Sequence, residues 1–242
     1  TQVSPTSSVL RFGLPDPSKP LNLSTCACIL SNAKIDGEDV TRPYTPISTN
    51  AQSGSFDLLV KDYGPDAKMS NHLCSEIKVG DKVNFKHIDF NVKLQAPFDY
   101  DHILMIVGGT GITPMIQALH AILGASTKSP TKVTMLYGSK TSDDILGKEM
   151  VDRWASESEQ FEIVHILSEE PEDSEWSGER GYIGKDLISK YFPAADSDKK
   201  LQVFVCGPPP LYNAISGPRE EPDKVSGLLG SMGYKPDQVY KF

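Results

Sequence analysis

The apolar positions of this 242-residue chain fall into two regimes. Through residues 1–96 they form short runs, Ser8–Phe12, Thr25–Leu30, Phe56–Lys61 and Lys82–Lys86, with Gly, Pro, Asn and Asp between them. Runs of that length bounded by turn formers predict strands, and their regular spacing predicts an antiparallel barrel. The one helical segment expected there is short, Met69–Ile77. After Gln95-Ala96-Pro97-Phe98-Asp99 the apolar cores Ile103–Val107, Val133–Tyr137, Phe161–Leu167 and Leu201–Val205 alternate with helical stretches. Pro114–Leu123 sets Met115, Ile116, Leu119, Ile122 and Leu123 on one face, and Asp144–Trp154 makes a second helix. Strand–helix alternation requires a parallel sheet covered by helices. Two domains follow, a barrel over residues 1–96 and an α/β domain over residues 97–242.

Composition removes several function classes. The net charge is −8, and it lies entirely in the second part: residues 1–98 hold 10 Lys and Arg against 10 Asp and Glu, residues 99–242 hold 14 against 22. A nucleic-acid partner needs a basic face, which this balance does not supply. No apolar run approaches the roughly 20 residues that cross a bilayer. The chain opens at Thr1 in a strand-like stretch and without Met, so an upstream segment is expected to have preceded it. Cysteines 26, 28, 74 and 206 form no C-x-x-C pair and the five histidines have no ligand spacing, so no metal site is expected. Reduced, intracellular thiols fit better, with Cys26 and Cys28 on one face of a strand as small apolar side chains.

Three motifs carry candidate chemistry. Gly108-Gly109-Thr110-Gly111-Ile112-Thr113-Pro114 stands between an apolar strand and a helix that Pro114 suits as first residue; bare amides at such a turn make a phosphate site. It is not the dinucleotide fingerprint G-x-G-x-x-G, because counting from Gly109 the third glycine falls on Pro114. Read alone, it is equally a tight turn with no ligand. Cys206-Gly207-Pro208-Pro209-Pro210 ends the last apolar strand, where open parallel sheets bind ligands, and its prolines make a wall without amide donors. In Arg42-Pro43-Tyr44-Thr45-Pro46-Ile47-Ser48, the guanidinium can clamp pyrophosphate, the phenol can stack on a flat ring, and the Thr45 hydroxyl can bond a ring nitrogen. Residue type alone leaves a surface Arg, a half-buried strand Tyr and a packing Cys as the plain alternatives.

These three motifs, in this order, resemble the flavin and nicotinamide reductases related to ferredoxin reductase, most closely the NADH–cytochrome b5 reductase branch and its mitochondrial-type fungal and plant members. The resemblance spans essentially the whole chain. It implies a Greek-key barrel binding FAD over residues 1–96 and a Rossmann-like NAD domain over 97–242. It further implies hydride transfer from NADH to FAD and single-electron delivery to cytochrome b5. By the same resemblance, Arg42 meets the FAD pyrophosphate, Tyr44 the isoalloxazine and Thr45 the reactive flavin nitrogen, with Pro43 between them. Leu59, Val60, Lys61 and Tyr63, then Lys68, Met69 and Ser70, match the next two FAD-contacting segments, and Lys61 supplies a cation near the reacting rings. Gly109, Thr110, Gly111 and Thr113 match the nucleotide loop. Asp144 stands near the adenosine ribose, where a carboxylate accepts from a 2′-hydroxyl and repels a 2′-phosphate; as a plain helix cap it has a structural alternative. Cys206, Gly207, Pro208 and Pro209 stand beside the nicotinamide, Cys206 orienting hydride transfer, and Phe242 lies near its edge. Thr45, Lys61 and Cys206 are thus the expected catalytic set.

The chain departs from the family at Ala67, where relatives have Gly before Lys-Met-Ser, and at His87-Ile88, where many have Gly-Pro. A Cβ at Ala67 restricts that turn. Lys61, Lys68, Lys82, Lys86 and Lys93 are expected as a basic rim for an acidic haem protein. The resemblance also implies a monomeric catalytic portion of a membrane-anchored protein, at the mitochondrial outer membrane or endoplasmic reticulum. Rival readings are the reductase fragment of a nitrate reductase and a nucleotide sensor without turnover. A hydrolase has no G-x-S-x-G elbow here.

Overall fold

The computed structural model describes residues 1–88, 96–124 and 130–242; Lys93 of the expected basic rim lies outside them. Two compact units result, Thr1–Ala96 with Thr113–Ala121, and Pro97–Ile112 with Ile122–Phe242.

In the first unit, strands β1 (Gln2–Ser4), β2 (Ser7–Gly13), β3 (Ile29–Ile35), β4 (Glu38–Tyr44), β5 (Ser55–Lys61) and β6 (Asn84–His87) form two antiparallel sheets, ordered β1-β2-β5 and β4-β3-β6. No ladder among the described residues joins the two sheets. They share a core of Ile35, Val40, Phe56, Leu58, Val60, Met69 and Leu73. Inside it Phe12, Phe56 and Phe85 pack ring on ring, with centroids 5.6, 4.8 and 5.0 Å apart. Each ring comes from a different strand, so the aromatic cluster ties three hairpin arms together. Arg11 and Asp57 face each other across β2 and β5 in a two-pronged ion pair at 2.7 and 2.8 Å. The expected helix near 69–77 appears as α1 (Lys68–Asn71), running into a π-helical turn, His72–Glu76.

The expected strand Thr25–Leu30 begins later, at Ile29, and Cys26 and Cys28 do not share a strand face. Cys26 sits in a turn at φ +65°, its thiol 3.2 Å from the carbonyl oxygen of Pro114. A contact 88 residues away in sequence decides that backbone, and no local pattern announces it.

The second unit is built on a six-stranded, all-parallel sheet of β7 (His102–Gly108), β8 (Lys132–Ser139), β9 (Phe161–Leu167), β10 (Glu179–Arg180), β11 (Leu201–Cys206) and β12 (Val239–Lys241), ordered β10-β9-β8-β7-β11-β12. Every residue of β7 is buried, as a strand covered on both faces must be. Of the helices that follow, α2 (Ile112–Leu123) contributes Thr113–Ala121 to the first unit, whereas α3 (Lys148–Glu157), α4 (Lys185–Tyr191), α5 (Pro209–Ile215) and α6 (Gly227–Ser231) belong to the second. In α2 the buried surface exceeds the face expected, since Thr113, Gln117 and Ala118 are buried with the apolar set. Pro114 is the third helical residue, because a 3₁₀ turn, Gly109–Gly111, starts the winding first. The helix expected from Asp144 starts only at Lys148, after Gly147 in the left-handed region at φ +67°; Asp144 instead closes a 3₁₀ turn, Ser142–Asp144, and caps no α-helix.

At the start of β7, His102 is buried, with its Nε2 2.9 Å from Thr134 Oγ1 and its ring 4.8 Å from Phe192. Burial and the charges of Lys132 and Lys199 push its pKa down to about 4. The folded chain therefore keeps His102 neutral while the unfolded chain takes up a proton below about pH 6.5. Stability must fall as pH drops from about 6.5 towards 4, by about 1–2 kcal/mol between pH 7 and 5 from this residue. Urea unfolding at those two pH values should show the loss, and His102→Gln should flatten it by that amount.

Candidate functional site

Chain order along the parallel sheet reverses between β7 and β11: β8, β9 and β10 extend to one side of β7, β11 and β12 to the other. Ligands of open parallel sheets bind at the carboxyl ends of the strands flanking such a reversal. There β7 releases Gly108–Gly111 and β11 releases Cys206–Pro208, with Cys206 and Val107 in register. The two loops touch through backbone. A Cβ on Gly111 would lie 2.2 Å from the carbonyl oxygen of Cys206, and one on Gly108 would lie 2.9 Å from Leu211 Cδ1 and 3.0 Å from Pro208 Cδ. Gly109 is different: it has φ +52° and open space where a Cβ would stand. One glycine therefore supplies a backbone angle, and the others supply close approach.

Tyr137, read from sequence only as the end of an apolar strand, holds this loop. Its hydroxyl lies 3.1 Å from the carbonyl of Gly109 and 3.3 Å from that of Leu146, and its ring is fully buried. An aromatic at the carboxyl end of a parallel strand with a polar tip was the available signal. Asp144, two turns of chain beyond the same strand, sits in the 3₁₀ turn whose first residue, Ser142, gives its amide and hydroxyl to Glu170 at 2.7 and 3.0 Å.

Cys206 ends β11, and burial pushes its thiol up to about 11, so it stays protonated near neutrality. Pro208 is extended at φ −70° and ψ 158°, but Pro209 and Pro210 open α5. The proline wall is thus one residue long, and the other two start a helix, where a missing amide hydrogen costs nothing. Phe242 follows β12; its amide donates to Val205 at 3.0 Å and its ring packs 5.5 Å from Phe204. Since Lys241 pairs with Val205, Phe242 comes abreast of Cys206.

In the first unit, Arg42, Pro43 and Tyr44 finish β4 and Thr45 follows it. Arg42 is exposed, its Nη1 donating to Thr41 O at 2.8 Å. Tyr44 packs against the core, and burial raises its phenol to about 12. The chain after Thr45 is held firmly: the amide of Ile47 donates to Asp57 O at 2.9 Å, the amide of Asp57 donates to Ser48 Oγ at 2.9 Å, and buried Gln117 donates to the carbonyls of Pro46, at 2.7 Å, and Ser48. Gln117 escaped the sequence reading because its partners lie about 70 residues away.

Leu59 and Val60 are buried in β5, and Lys61 at its end places its Nζ 5.6 Å from the ring centroid of exposed Tyr63. Met69 is buried in α1. Ser70 spends its hydroxyl locally, donating to Ala67 O at 3.1 Å and accepting from the Tyr63 amide at 3.4 Å. Ala67 has φ −94°, which an L residue adopts without strain, so the missing glycine is accommodated there. Lys68 pairs with Glu38 at 2.6 Å, which takes one charge of the expected rim. No group of three metal-ligating side chains occurs among the described residues.

An all-parallel sheet with a glycine loop at its reversal, preceded by an antiparallel unit carrying the R-x-Y-T segment, defines a two-domain flavin and nicotinamide oxidoreductase. Family models agree: residues 1–89 match an oxidoreductase FAD-binding domain and residues 105–217 an oxidoreductase NAD-binding domain. NADH-cytochrome b5 reductase 2 of Yarrowia lipolytica is 41% identical over 99% of this chain and 82% of its own length. The protein of that name from Scheffersomyces stipitis is 39% identical over 96% of this chain and 77% of its own. Among solved structures, the cytochrome b5 reductase domain of Ulva prolifera nitrate reductase superposes with a TM-score of 0.81 at 26% identity, covering 100% of this chain and 93% of that one. The chain belongs to the NADH-cytochrome b5 reductase family.

The glycines make a prediction that separates angle from approach. Gly109→Ala should cost about 1 kcal/mol, the strain of a left-handed residue. Gly111→Ala should cost about 3 kcal/mol, because the Cβ displaces the Cys206 carbonyl. Denaturant unfolding of both variants measures the difference, and equal costs would refute the close-approach account.

Proposed function

We propose that this chain takes hydride from NADH onto FAD and delivers electrons singly to cytochrome b5. The observation that carries the reading is the joining of the Gly108–Gly111 and Cys206–Pro208 loops at the sheet reversal. The site suits these groups: the Cβ-free loop gives a phosphate room at Gly109, and an exposed guanidinium at Arg42 is available to a pyrophosphate. Bound FAD would supply the change from two-electron to one-electron chemistry.

The chain's own residues position and shield. We assign Arg42, with Pro43, Lys68, Met69 and Ser70, to the FAD phosphate side, Ser70 acting through its turn because its hydroxyl is spent locally. Tyr44 supports the flavin ring as a neutral phenol, its proton held by burial. Thr45 sets a hydroxyl beside the reactive ring nitrogen, while Leu59, Val60, Lys61 and Tyr63 line the ring, Lys61 favouring negative charge there. Gly109, Thr110, Gly111 and Thr113 take the NADH pyrophosphate. Cys206, Gly207, Pro208 and Pro209 set the nicotinamide, and Phe242 flanks it. A protonated Cys206 offers steric guidance and a weak donor, and hydride transfer itself needs no general acid or base. We further propose that the two antiparallel sheets are the halves of one Greek-key barrel, that residues 1–96 and 97–242 are the FAD and NAD domains, and that the active unit is a monomer. No helix among the described residues is long and apolar enough to cross a membrane, and the proposed site of work is a membrane of the mitochondrial exterior or endoplasmic reticulum, reached through an anchor outside this chain.

Anaerobic stopped-flow absorbance tests the central claim: NADH should bleach bound FAD rapidly, NADPH slowly, and oxidised cytochrome b5 should then be reduced promptly. A flavin that NADH leaves oxidised would sink the proposal. Asp144→Ser should narrow the preference for NADH over NADPH by roughly five- to 150-fold, the worth of about 1–3 kcal/mol of charge repulsion. A ratio unchanged by that substitution would remove Asp144 from the ribose site.

Lys82 and Lys86 are exposed on and beside β6, and with Lys61 they keep the basic rim once Lys68 is paired. Lys82→Glu with Lys86→Glu should slow cytochrome b5 reduction about tenfold at low salt while ferricyanide reduction by NADH is unchanged. Equal haem kinetics in the variant would place the docking face elsewhere.

A further inference from the structure

Beyond the carboxyl ends of β8 and β9 the chain keeps two segments side by side. The amide of Ser168 donates to the carbonyl of Ser139 at 3.0 Å, and that of Glu169 to the carbonyl of Lys140 at 2.8 Å. The next bonds in this line are made by a side chain. Both carboxylate oxygens of Glu170 turn to Ser142, whose amide donates to one at 2.7 Å and whose hydroxyl donates to the other at 3.0 Å. A partly exposed carboxylate paired with another side chain is worth little, but one that accepts a main-chain amide makes a stronger, charge-assisted bond. The Ser142 amide, then its hydroxyl, hold the Glu170 carboxyl below the usual range, so it is ionised at neutral pH. Arg180 fixes the main chain of Glu170 from the other side: Nη1 donates to the carbonyls of Glu170 at 2.9 Å and Pro171 at 3.0 Å, and Nη2 to Ser174 Oγ at 3.0 Å and the Trp176 carbonyl at 3.2 Å. Ser142 opens the 3₁₀ turn that Asp144 closes, and the Asp144 amide donates to the Thr141 carbonyl at 3.1 Å. One line of bonds therefore runs from Arg180 through Glu170 and Ser142 to the turn that bears Asp144.

We propose that Glu170 is a positioning residue for the choice of NADH over NADPH, its carboxylate clamping Ser142 so that the turn holds Asp144 in one place. The inference rests on the reading of Asp144 as the carboxylate at the adenosine ribose. Repulsion between two charges falls with their separation, so a carboxylate on a turn free to swing recedes from a 2′-phosphate and loses much of its effect. A clamped turn makes NADPH meet the whole repulsion. What the clamp requires of residue 170 is its hydrogen-bonding shape. A Gln side chain accepts the Ser142 amide through its carbonyl oxygen and donates to the Ser142 hydroxyl through its nitrogen, whereas Ala does neither. Position and charge are therefore separable at this residue.

The test compares FAD-loaded wild type with Glu170→Ala, Glu170→Gln, Asp144→Ser and the double variant Asp144→Ser with Glu170→Ala. Stopped-flow bleaching of the flavin gives the preference for NADH over NADPH. Calorimetry gives the ratio of affinities for 5′-AMP and adenosine 2′,5′-bisphosphate, a readout that needs no hydride transfer. Glu170→Ala should lower both ratios about fivefold. Glu170→Gln should keep both within about twofold of wild type. In the Asp144→Ser background, Glu170→Ala should change neither ratio by more than about twofold, the non-additivity of a residue that acts through another. Hydrogen exchange at the Ser142 amide should be about tenfold faster in Glu170→Ala and near wild type in Glu170→Gln. Ratios in Glu170→Ala equal to wild type, a Gln variant that falls as far as the Ala variant, or a full fivefold loss added to that of Asp144→Ser overturns the proposal. Should Asp144→Ser itself leave both ratios unchanged, the reading of Asp144 fails and takes the proposal with it. If Asp144→Ser lowers them and Glu170→Ala does not, that reading stands and only the role of Glu170 falls.

Discussion

A side chain on Gly111 would put a carbon 2.2 Å from the carbonyl oxygen of Cys206, and one on Gly207 would put a carbon 3.2 Å from the backbone of Gly108. This approach of two bare backbones, at the ends of β7 and β11, is the constraint on which the second unit depends. Six consecutive residue pairs between those strands hold it in register. Strands fixed this way bring together two loops about a hundred residues apart in sequence, and neither loop can carry a Cβ at the contact. Gly108, Gly111 and Gly207 are therefore required by the packing of these two loops.

Within each unit, taken by itself, the buried polar groups are arranged for position more than for reactivity. Tyr137 ties the Gly109 carbonyl to Leu146, Tyr212 ties the Phe242 carbonyl beside Cys206, and Gln117 ties Pro46 and Ser48 just beyond Thr45. Each is a buried side chain bonding main chain, so each fixes a loop whose own residues are too small or too irregular to fix themselves. Burial also keeps Tyr44 and Cys206 protonated. Hydride transfer is compatible with groups of this kind, since geometry and exclusion of water matter and no side chain must exchange a proton.

Neutral packing in the first unit complements this. The Phe12, Phe56 and Phe85 cluster joins strands from both sheets, while Arg11 pairs with Asp57 and Lys68 with Glu38. The paired Lys68 contributes less to any field felt by an approaching acidic protein than its sequence position implies. Exposed Lys82 and Lys86 contribute more.

The sequence by itself determined the elements whose cause is local. Apolar runs such as Ile103–Val107 and Leu201–Val205 form strands because a strand buried on both faces must be apolar throughout, and Gly, Pro and Asp punctuation ends them. It also carried the three motifs and their order, enough to indicate the family. Where the cause is distant, only the tertiary structure decided. The turn at Cys26 is set with the Pro114 carbonyl, Ser70 turns its hydroxyl inward, α3 waits for Gly147, and the aromatic hydroxyls of Tyr137 and Tyr212 find carbonyls 28 and 30 residues away. Strand propensity and motif spacing act over a few residues of chain. The partner of a buried polar group is whatever the fold brings within about 3 Å, and one chain's sequence pattern does not encode that distance.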